Sequence, residues 1–192
     1  FAHYLLGLSL LEGLLIGGIV ASTDAAAVFG VLRAKALRLR HSLQPLLELE
    51  SGSNDPTAVF LTVYLTAALV TGTPLTGVLA IDFILQMSVG AGVGIACGYA
   101  GALILNRIHI EQEGLYPVIT VGLALLTFGG AEIIGGNGFL AVYLCGLSLG
   151  AHNFIHKIGL MQFHDGLAWL MQIVMFLVLG LMVFPSQHSD VA

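Results

Sequence analysis

The chain has 192 residues, of which 57% are hydrophobic and only 9% are charged, and its mean hydropathy is +0.97. Soluble domains carry about 25% charged residues, so this composition excludes an ordinary soluble domain and favours one unit embedded in a lipid bilayer. The formal net charge of −5 argues against a nucleic-acid partner.

The apolar runs predict an all-α polytopic membrane fold with about six crossings, because one crossing needs about 20 apolar residues. Since the chain begins at Phe1 and ends just after an apolar run, we expect residues 1–192 to be an internal fragment of a longer membrane domain, truncated at both ends. The predicted crossings are residues 10–32, 43–70, 78–105, two short ones within 115–151 that divide at Gly135–Gly138, and 166–184.

The cationic side chains give this map a topology. If the six crossings alternate in direction, all six Lys and Arg residues fall on one side of the membrane. The positive-inside rule makes that side cytoplasmic. We therefore expect a multi-pass protein of the cell inner membrane with cytoplasmic loops at 33–42, 107–114 and 152–163.

The sequence predicts a polar break in each of the first two crossings, at the same depth. The middle of 10–32 lies beside Ser22-Thr23-Asp24, where Thr23 or Asp24 can cap a restarting helix. The middle of 43–70 lies beside Asp55, where Pro56 predicts a second break. Many transporters build ion sites where such half-helices meet at the membrane midplane.

Three acids in these crossings require compensation. Asp24, Glu50 and Asp55, at roughly 2.5–3.5 kcal/mol each, would together cost on the order of 8–10 kcal/mol if ionised and bare. No Lys or Arg falls within a predicted crossing. The acids must therefore hold protons, bind metal cations, or meet a base supplied by the rest of the protein. A carboxyl group in this setting can trade a proton for a cation.

Spacing along the second crossing supports a cation site. Ser51 and Asp55 share one helical face, and Glu50 and Asn54 share another. Hydroxyl, amide and carboxylate oxygens are ligands that suit hard cations. The alternative is that these polar groups only cross-link neighbouring helices.

Two stretches carry a family resemblance. "ASTDAAAVF" (21–29) followed by "LLELESGSNDPTAVFLT" (46–62) resembles the monovalent cation–proton antiporters of the NhaP/NHE type, with the closest likeness to bacterial potassium–proton antiporters. The resemblance covers the whole chain. It implies part of a transmembrane ion-exchange domain with an inverted-repeat fold, which needs no cofactor and transports H⁺ and K⁺ or Na⁺.

The resemblance also implies roles for individual residues. Asp55 would alternately carry the proton and the cation, while Thr23, Asp24 and Ser51 would lend further oxygens to the cation site.

Glu50 and Asn54 would support this site. Glu50 would orient it and, in the family, pairs with an arginine from a later helix. Asn54 marks the electroneutral branch of the family, whose electrogenic members carry a second Asp there. Many members have Pro after the Thr-Asp pair, and this chain has Ala25 there, so its first break depends on Gly17, Gly18 and the helix cap.

Other functions are weighed against exchange. A channel or a membrane scaffold is the main alternative, and an intramembrane aspartyl protease is a remote third, because the Gly-x-Gly-Asp stretch of such enzymes is missing. We expect no enzymatic activity. The expected partners are the lipid bilayer, monovalent cations, protons, and a second copy in a homodimer of the full-length protein.

Overall fold

All regular secondary structure that the computed structural model describes is helical, which confirms the all-α prediction. The described residues are 2–24, 28, 29, 32, 43–72, 78–108, 110, 112, 114–154 and 156–182. Within them the helices with defined bounds are α1 (Ala2–Leu6), α2 (Leu10–Val20), α3 (Leu43–Thr71), α4 (Val78–Arg107), α5 (Leu115–Ile133), α6 (Gly138–Ala151) and α7 (Lys157–Met182).

The first predicted break is present. α2 starts with a reciprocal cap, in which the Ser9 hydroxyl accepts from the Glu12 amide and the Glu12 carboxylate accepts from the Ser9 amide. It ends at Val20, and the backbone at 22–24 is not helical. The Asp24 carbonyl then accepts a hydrogen bond from the Val28 amide at 3.3 Å, as at the start of a new helical turn.

α3 differs from the prediction of a second broken helix. It runs unbroken for 29 residues with Pro56 inside it, so the predicted break at Gly52–Pro56 is wrong. A proline removes only one intrahelical hydrogen bond, and nearby hydroxyl groups can bond the carbonyls of the same turns. Here the Ser53 hydroxyl donates to the Glu50 carbonyl at 2.9 Å and the Thr57 hydroxyl to the Ser53 carbonyl at 3.1 Å.

α7 begins earlier than the predicted crossing at 166–184, and the predicted loop 152–163 is correspondingly too long. The polar residues at its start are held in a helix by neighbouring elements. Lys157 Nζ donates to the Gly150 and His152 carbonyls at the end of α6, and His164 hydrogen-bonds Thr120 of α5 at 2.9 Å.

The other predicted loops have different outcomes. α4 ends at Arg107 and α5 begins at Leu115, which agrees with a loop at 107–114. The predicted loop 33–42 lies outside the described residues, as does the end of the last predicted crossing beyond Met182.

Within the part of the chain that the structure describes, three helical segments are long and apolar enough to cross a membrane by length and composition: Ala80–Arg107, Leu115–Ile133 and Lys157–Met182. α2 and α6 are shorter apolar helices, as expected for a half-helix and a short crossing. α6 has 14 residues, about 21 Å of helix, and therefore falls short of a bilayer core of about 30 Å. The helices are those of a multi-pass membrane protein.

Glycines allow α4 and α6 to pack backbone against backbone. A methyl group at Gly94 would lie 2.3 Å from the Ala141 carbonyl oxygen, and one at Gly90 would lie 2.5 Å from the Asn137 carbonyl oxygen. This close approach makes the glycines that repeat every four residues along α4 (Gly90, Gly94 and Gly98) a helix-packing face. The turn that leads into α6 contains Gly135 at φ +78°, a conformation that glycine adopts without strain.

A contact between α4 and the α6–α7 connection identifies one end of the bundle. Asn106, near the end of α4, donates to the Asn153 carbonyl in the α6–α7 connection at 3.3 Å, so Arg107 and Lys157 lie at one end. We call this the cationic end. α6 runs antiparallel to α3, because Asn137 contacts Pro56 whereas the later residue Tyr143 contacts the earlier part of α3.

Candidate functional site

The broken end of α2 lies against the middle of α3. Ser51 Oγ donates to the Thr23 carbonyl oxygen at 2.6 Å. Ser22 Oγ donates to Asp55 Oδ1, and Ser51 Oγ lies 3.5 Å from Asp55 Oδ2. Both carboxylate oxygens of Asp55 therefore face serine hydroxyl groups, one from each helix.

A second group of hydrogen bonds connects Thr23, in the break after α2, to Glu50 and Asn54 of α3. Thr23 Oγ1 donates to Glu50 Oε2 at 2.7 Å, and Asn54 Nδ2 lies 2.8 Å from both Thr23 Oγ1 and Glu50 Oε1. Each pair of groups in this triangle is bonded. The triangle involves only the side chain of Thr23, whose backbone carbonyl accepts from Ser51 instead.

Asn54 also contacts the last turn of α2. Its Nδ2 lies 3.4 Å from the Ala21 carbonyl oxygen, which the end of the helix leaves without an intrahelical donor. The Asn54 Oδ1 atom is buried and has no hydrogen-bond donor within the described part of the chain. Asn54 Nδ2 thus faces three acceptors, one at the end of α2, one in the break and one on α3.

A cavity of about 790 Å³ adjoins this arrangement. Asp24 and Asp55 both line it, which brings together the two aspartates that the sequence places in different crossings. The rest of the wall is largely apolar and comes from α2, α3, α6 and α7. The other lining residues are Ile19, Ser22, Ala58, Val59, Thr62, Val63, Phe139, Met171, Gln172 and Met175.

The six predicted site residues thus occupy one region in two layers. Asp55, Ser51 and the Thr23 carbonyl form the inner layer, and Asp24 faces the same cavity as Asp55. Glu50 and Asn54 form the outer layer together with the Thr23 hydroxyl. Their functional roles remain predictions.

The predicted ligand set does not include Ser22, whose hydroxyl donates to Asp55. Its position in the polar break beside Thr23 is the signal that identifies it. Phe139 and Gln172 also line the cavity, but they come from α6 and α7. Phe139 falls in a stretch, residues 138–150, that shares the family resemblance, but no sequence signal assigns either residue to the site, because only the tertiary fold brings them near Asp55.

The arrangement can bind either a proton or a bare cation at the same atoms. Hydroxyl, carbonyl and carboxylate oxygens converge around Asp55, and such hard oxygen ligands suit hard cations. A proton on Asp55 would occupy the lone pairs that a cation needs, so the two ligands compete. Ser51 and Ser22 can rotate their hydroxyl groups to donate to the carboxylate or to offer a lone pair.

The sequence matches the family model described as "Sodium/hydrogen exchanger, transmembrane" over residues 1–190. It is 40% identical to the K(+)/H(+) antiporter NhaP of Alkalimonas amylolytica over 189 residues, or 98% of this chain and 33% of that protein. It is 41% identical to the K(+)/H(+) antiporter NhaP2 of Shewanella oneidensis over 194 residues, or 99% of this chain and 33% of that protein. The Na(+)/H(+) antiporter ApNhaP of Aphanothece halophytica is 31% identical over 192 residues, or 93% of this chain and 35% of that protein.

No solved structure matches the chain significantly. The chain spans about one third of the length of the curated relatives it matches, and those relatives are named as transporters rather than enzymes. The family match nevertheless covers nearly every residue, including both halves of the site. This chain therefore belongs to the sodium/hydrogen exchanger family of transmembrane proteins.

Proposed function

We propose that this chain is the site-bearing part of a secondary active transporter that exchanges a monovalent cation, K⁺ or Na⁺, for protons. The observation that carries the proposal is the Asp55 carboxylate, which meets Ser22 and Ser51 hydroxyls at a helix break and lines an open cavity. The relatives named as K(+)/H(+) and Na(+)/H(+) antiporters support the same reaction.

In this mechanism the proton and the cation occupy Asp55 in turn. When Asp55 carries a proton, its carboxyl group is uncharged and forms hydrogen bonds with the hydroxyls of Ser22 and Ser51. When a cation arrives, the proton leaves, and the carboxylate, the Thr23 carbonyl and the Ser51 hydroxyl supply oxygen ligands. An empty and ionised site is costly inside the membrane, so each departing ion has to be replaced.

The outer layer keeps the inner oxygens in position. Glu50 and Asn54 hold the Thr23 hydroxyl, which orients the Thr23 backbone carbonyl towards Ser51. Asp24 adds a second carboxyl group to the cavity wall. We propose that Asp24 raises the local cation concentration and completes the ligand set.

The topology follows from the charges. We propose that the cationic end of the bundle is cytoplasmic, that the membrane is the cell inner membrane, and that the full-length protein is a homodimer. Arg107 and Lys157 at one end agree with the positive-inside rule.

Replacing Asp55 tests the proposed reaction. In everted vesicles that contain the full-length protein, wild type should dissipate an imposed ΔpH when K⁺ or Na⁺ is added. Asp55→Asn should abolish this response, because an amide cannot exchange a proton for a cation. The matched control is Asp82→Asn in α4, which makes the same change outside the site and should retain exchange.

The outcomes separate exchange from its alternatives. A channel would carry the cation without coupled proton movement, and a scaffold would tolerate Asp55→Asn. Full exchange in Asp55→Asn would remove Asp55 from the central role. Running K⁺ and Na⁺ in parallel also establishes which cation the site prefers.

A further inference from the structure

The cavity beside Asp55 extends away from the cationic end. On α3 its lining residues run from Asp55 to Val63, towards the C-terminal end of the helix. Because α3 runs antiparallel to α6, and α6 ends at the cationic end, these residues lie on the opposite side of the site. Phe139, at the first turn of α6, also lines the cavity on that side.

The short hairpin of α5 and α6 leaves room for this opening. The Asn137 amide at its tip donates to the Gln86 carbonyl at 2.9 Å. Gln86 lies eight residues into α4, about 12 Å along the helix from Val78. The hairpin therefore stops well short of the outer end of α4, at the depth of the site.

On the cationic side of Asp55, an aromatic ring covers α3. A methyl group at Gly52 would lie 2.3 Å from two ring carbons of Tyr143, so the ring lies directly against the Gly52 backbone. The Tyr143 hydroxyl donates to the Glu48 carbonyl, one turn nearer the cationic end, at 3.5 Å. Gly52 directly follows Ser51, the residue that bonds the Thr23 carbonyl.

This contact lies between two groups of packed helices, which are also joined by the hydrogen bond from Gln86 Nε2 of α4 to the Tyr64 hydroxyl of α3 at 2.7 Å. α2 packs on α3 and holds the ion site, whereas α6 packs on α4 and α5. α3 meets α6 through the Gly52–Tyr143 contact and through Asn137 Nδ2, which lies 3.4 Å from the Pro56 carbonyl oxygen. Relative movement of the two groups would break or form these contacts beside the site.

We propose that Tyr143 is a positioning residue that closes the cytoplasmic side of the ion site while Asp55 faces the outer side. Its ring must leave Gly52 for the cation to reach the cytoplasm. The inference rests on the proposed exchange function and on the cytoplasmic placement of the cationic end. The inference also explains the glycine at position 52, because any side chain there would displace the ring.

The test compares cation KM values from the two sides of the membrane. Full-length protein is assayed in right-side-out and in everted vesicles. Tyr143→Ala removes a contact of the outward-facing state, so the inward-facing population should rise. The KM should then rise at the outer face and fall at the cytoplasmic face, each by about threefold or more. Tyr143→Phe keeps the ring and should leave both KM values within about twofold of wild type.

Gly52→Ala provides a second route to the same state, because the methyl group pushes the ring away. The double variant Gly52→Ala/Tyr143→Ala should match Tyr143→Ala alone, since both changes remove one contact. Tyr99→Ala, which removes an aromatic ring of α4 that faces His152, is the control and should shift neither KM. If Tyr143→Ala fails to fold, Tyr143→Leu and Gly52→Ala give the same readout.

The possible results distinguish the two proposals. Wild type without exchange would sink the proposed function itself. If wild type exchanges but Tyr143→Ala lowers turnover with both KM values unchanged, Tyr143 is only a packing residue and this inference is overturned. Additive effects of the two substitutions would overturn it as well.

Discussion

Thr23 contacts both layers of the site, one through its side chain and the other through its backbone carbonyl. Its hydroxyl donates to Glu50 and lies 2.8 Å from Asn54 Nδ2, while its carbonyl accepts from Ser51 beside Asp55. Its side chain thus faces Glu50 and Asn54, and its backbone carbonyl faces Ser51. A change in the side chain should therefore act on the cation through the position of one carbonyl oxygen.

We predict that Thr23→Val lowers exchange about tenfold or more, because a hydrogen bond to a charged group contributes about 1.5–3 kcal/mol. Thr23→Ser retains the hydroxyl and should retain most of the activity. Thr57→Val is the matched control, since the Thr57 hydroxyl donates only to the Ser53 carbonyl of its own helix. Exchange rates in everted vesicles measure all three; equal rates in the Val and Ser variants would contradict the assigned role.

At the scale of single residues, the sequence predicts which residues form the site better than it predicts the contacts between them. The spacing of Ser51 and Asp55 predicts a shared helical face, and the two groups lie 3.5 Å apart. The contact of Ser22 with Asp55 joins residues 33 positions apart. Helical periodicity contains no information about such a pair, because the contact depends on how two helices pack.

The helices themselves show which local signals are decisive. Gly17, Gly18 and the polar run after Val20 predict the end of α2, and the helix ends there. Pro56 predicts a break in α3 that does not form. The two cases differ because α3 continues for 29 residues and packs on α2 and α6, so the hydrogen bond lost at one proline does not interrupt it.

The α4–α6 interface supports a prediction about stability. Gly94→Ala should lower the free energy of unfolding by about 1–3 kcal/mol, because the new methyl group would lie 2.3 Å from the backbone oxygen of Ala141. Gly92→Ala introduces the same group where no other atom lies within 4 Å, so it should leave the Tm unchanged or raise it. Thermal unfolding of the purified full-length protein in detergent compares the two.

An equal effect of the two alanines would contradict backbone-to-backbone packing at Gly94.

The glycine stripe is readable from the sequence, since Gly90, Gly94 and Gly98 repeat every four residues. The partner helix is not readable in the same way. Several apolar helices in the chain could accept such a face, and only the structure identifies α6.

For the whole molecule, competition of protons with cations predicts a bell-shaped dependence of exchange on pH. At low pH protons occupy Asp55 and keep the cation out, whereas at high pH the return step lacks protons. Raising the cation concentration should therefore move the acidic limb to lower pH and leave the alkaline limb in place. Initial rates measured from about pH 6 to 9 at two cation concentrations test this.

A flat profile, or an acidic limb that does not move with the cation concentration, would contradict simple competition.

The all-helical membrane class and the region of the site were predictable from composition and from polar residues at the depth of the midplane. The direction of the cavity, away from the cationic end, and the ring of Tyr143 over Gly52 were not. They arise from the way α2, α3, α6 and α7 together surround the cavity and from the contact of α6 with α3, to which no local pattern in the sequence corresponds.

The most direct test measures protons released when a cation binds to purified full-length protein in weakly buffered detergent solution. Adding K⁺ or Na⁺ should acidify the solution in a saturable manner, because the cation displaces the proton of Asp55. Asp55→Asn should release none, while Asp82→Asn should behave as wild type. Cation binding without proton release in wild type, or undiminished release in Asp55→Asn, would contradict exchange at Asp55.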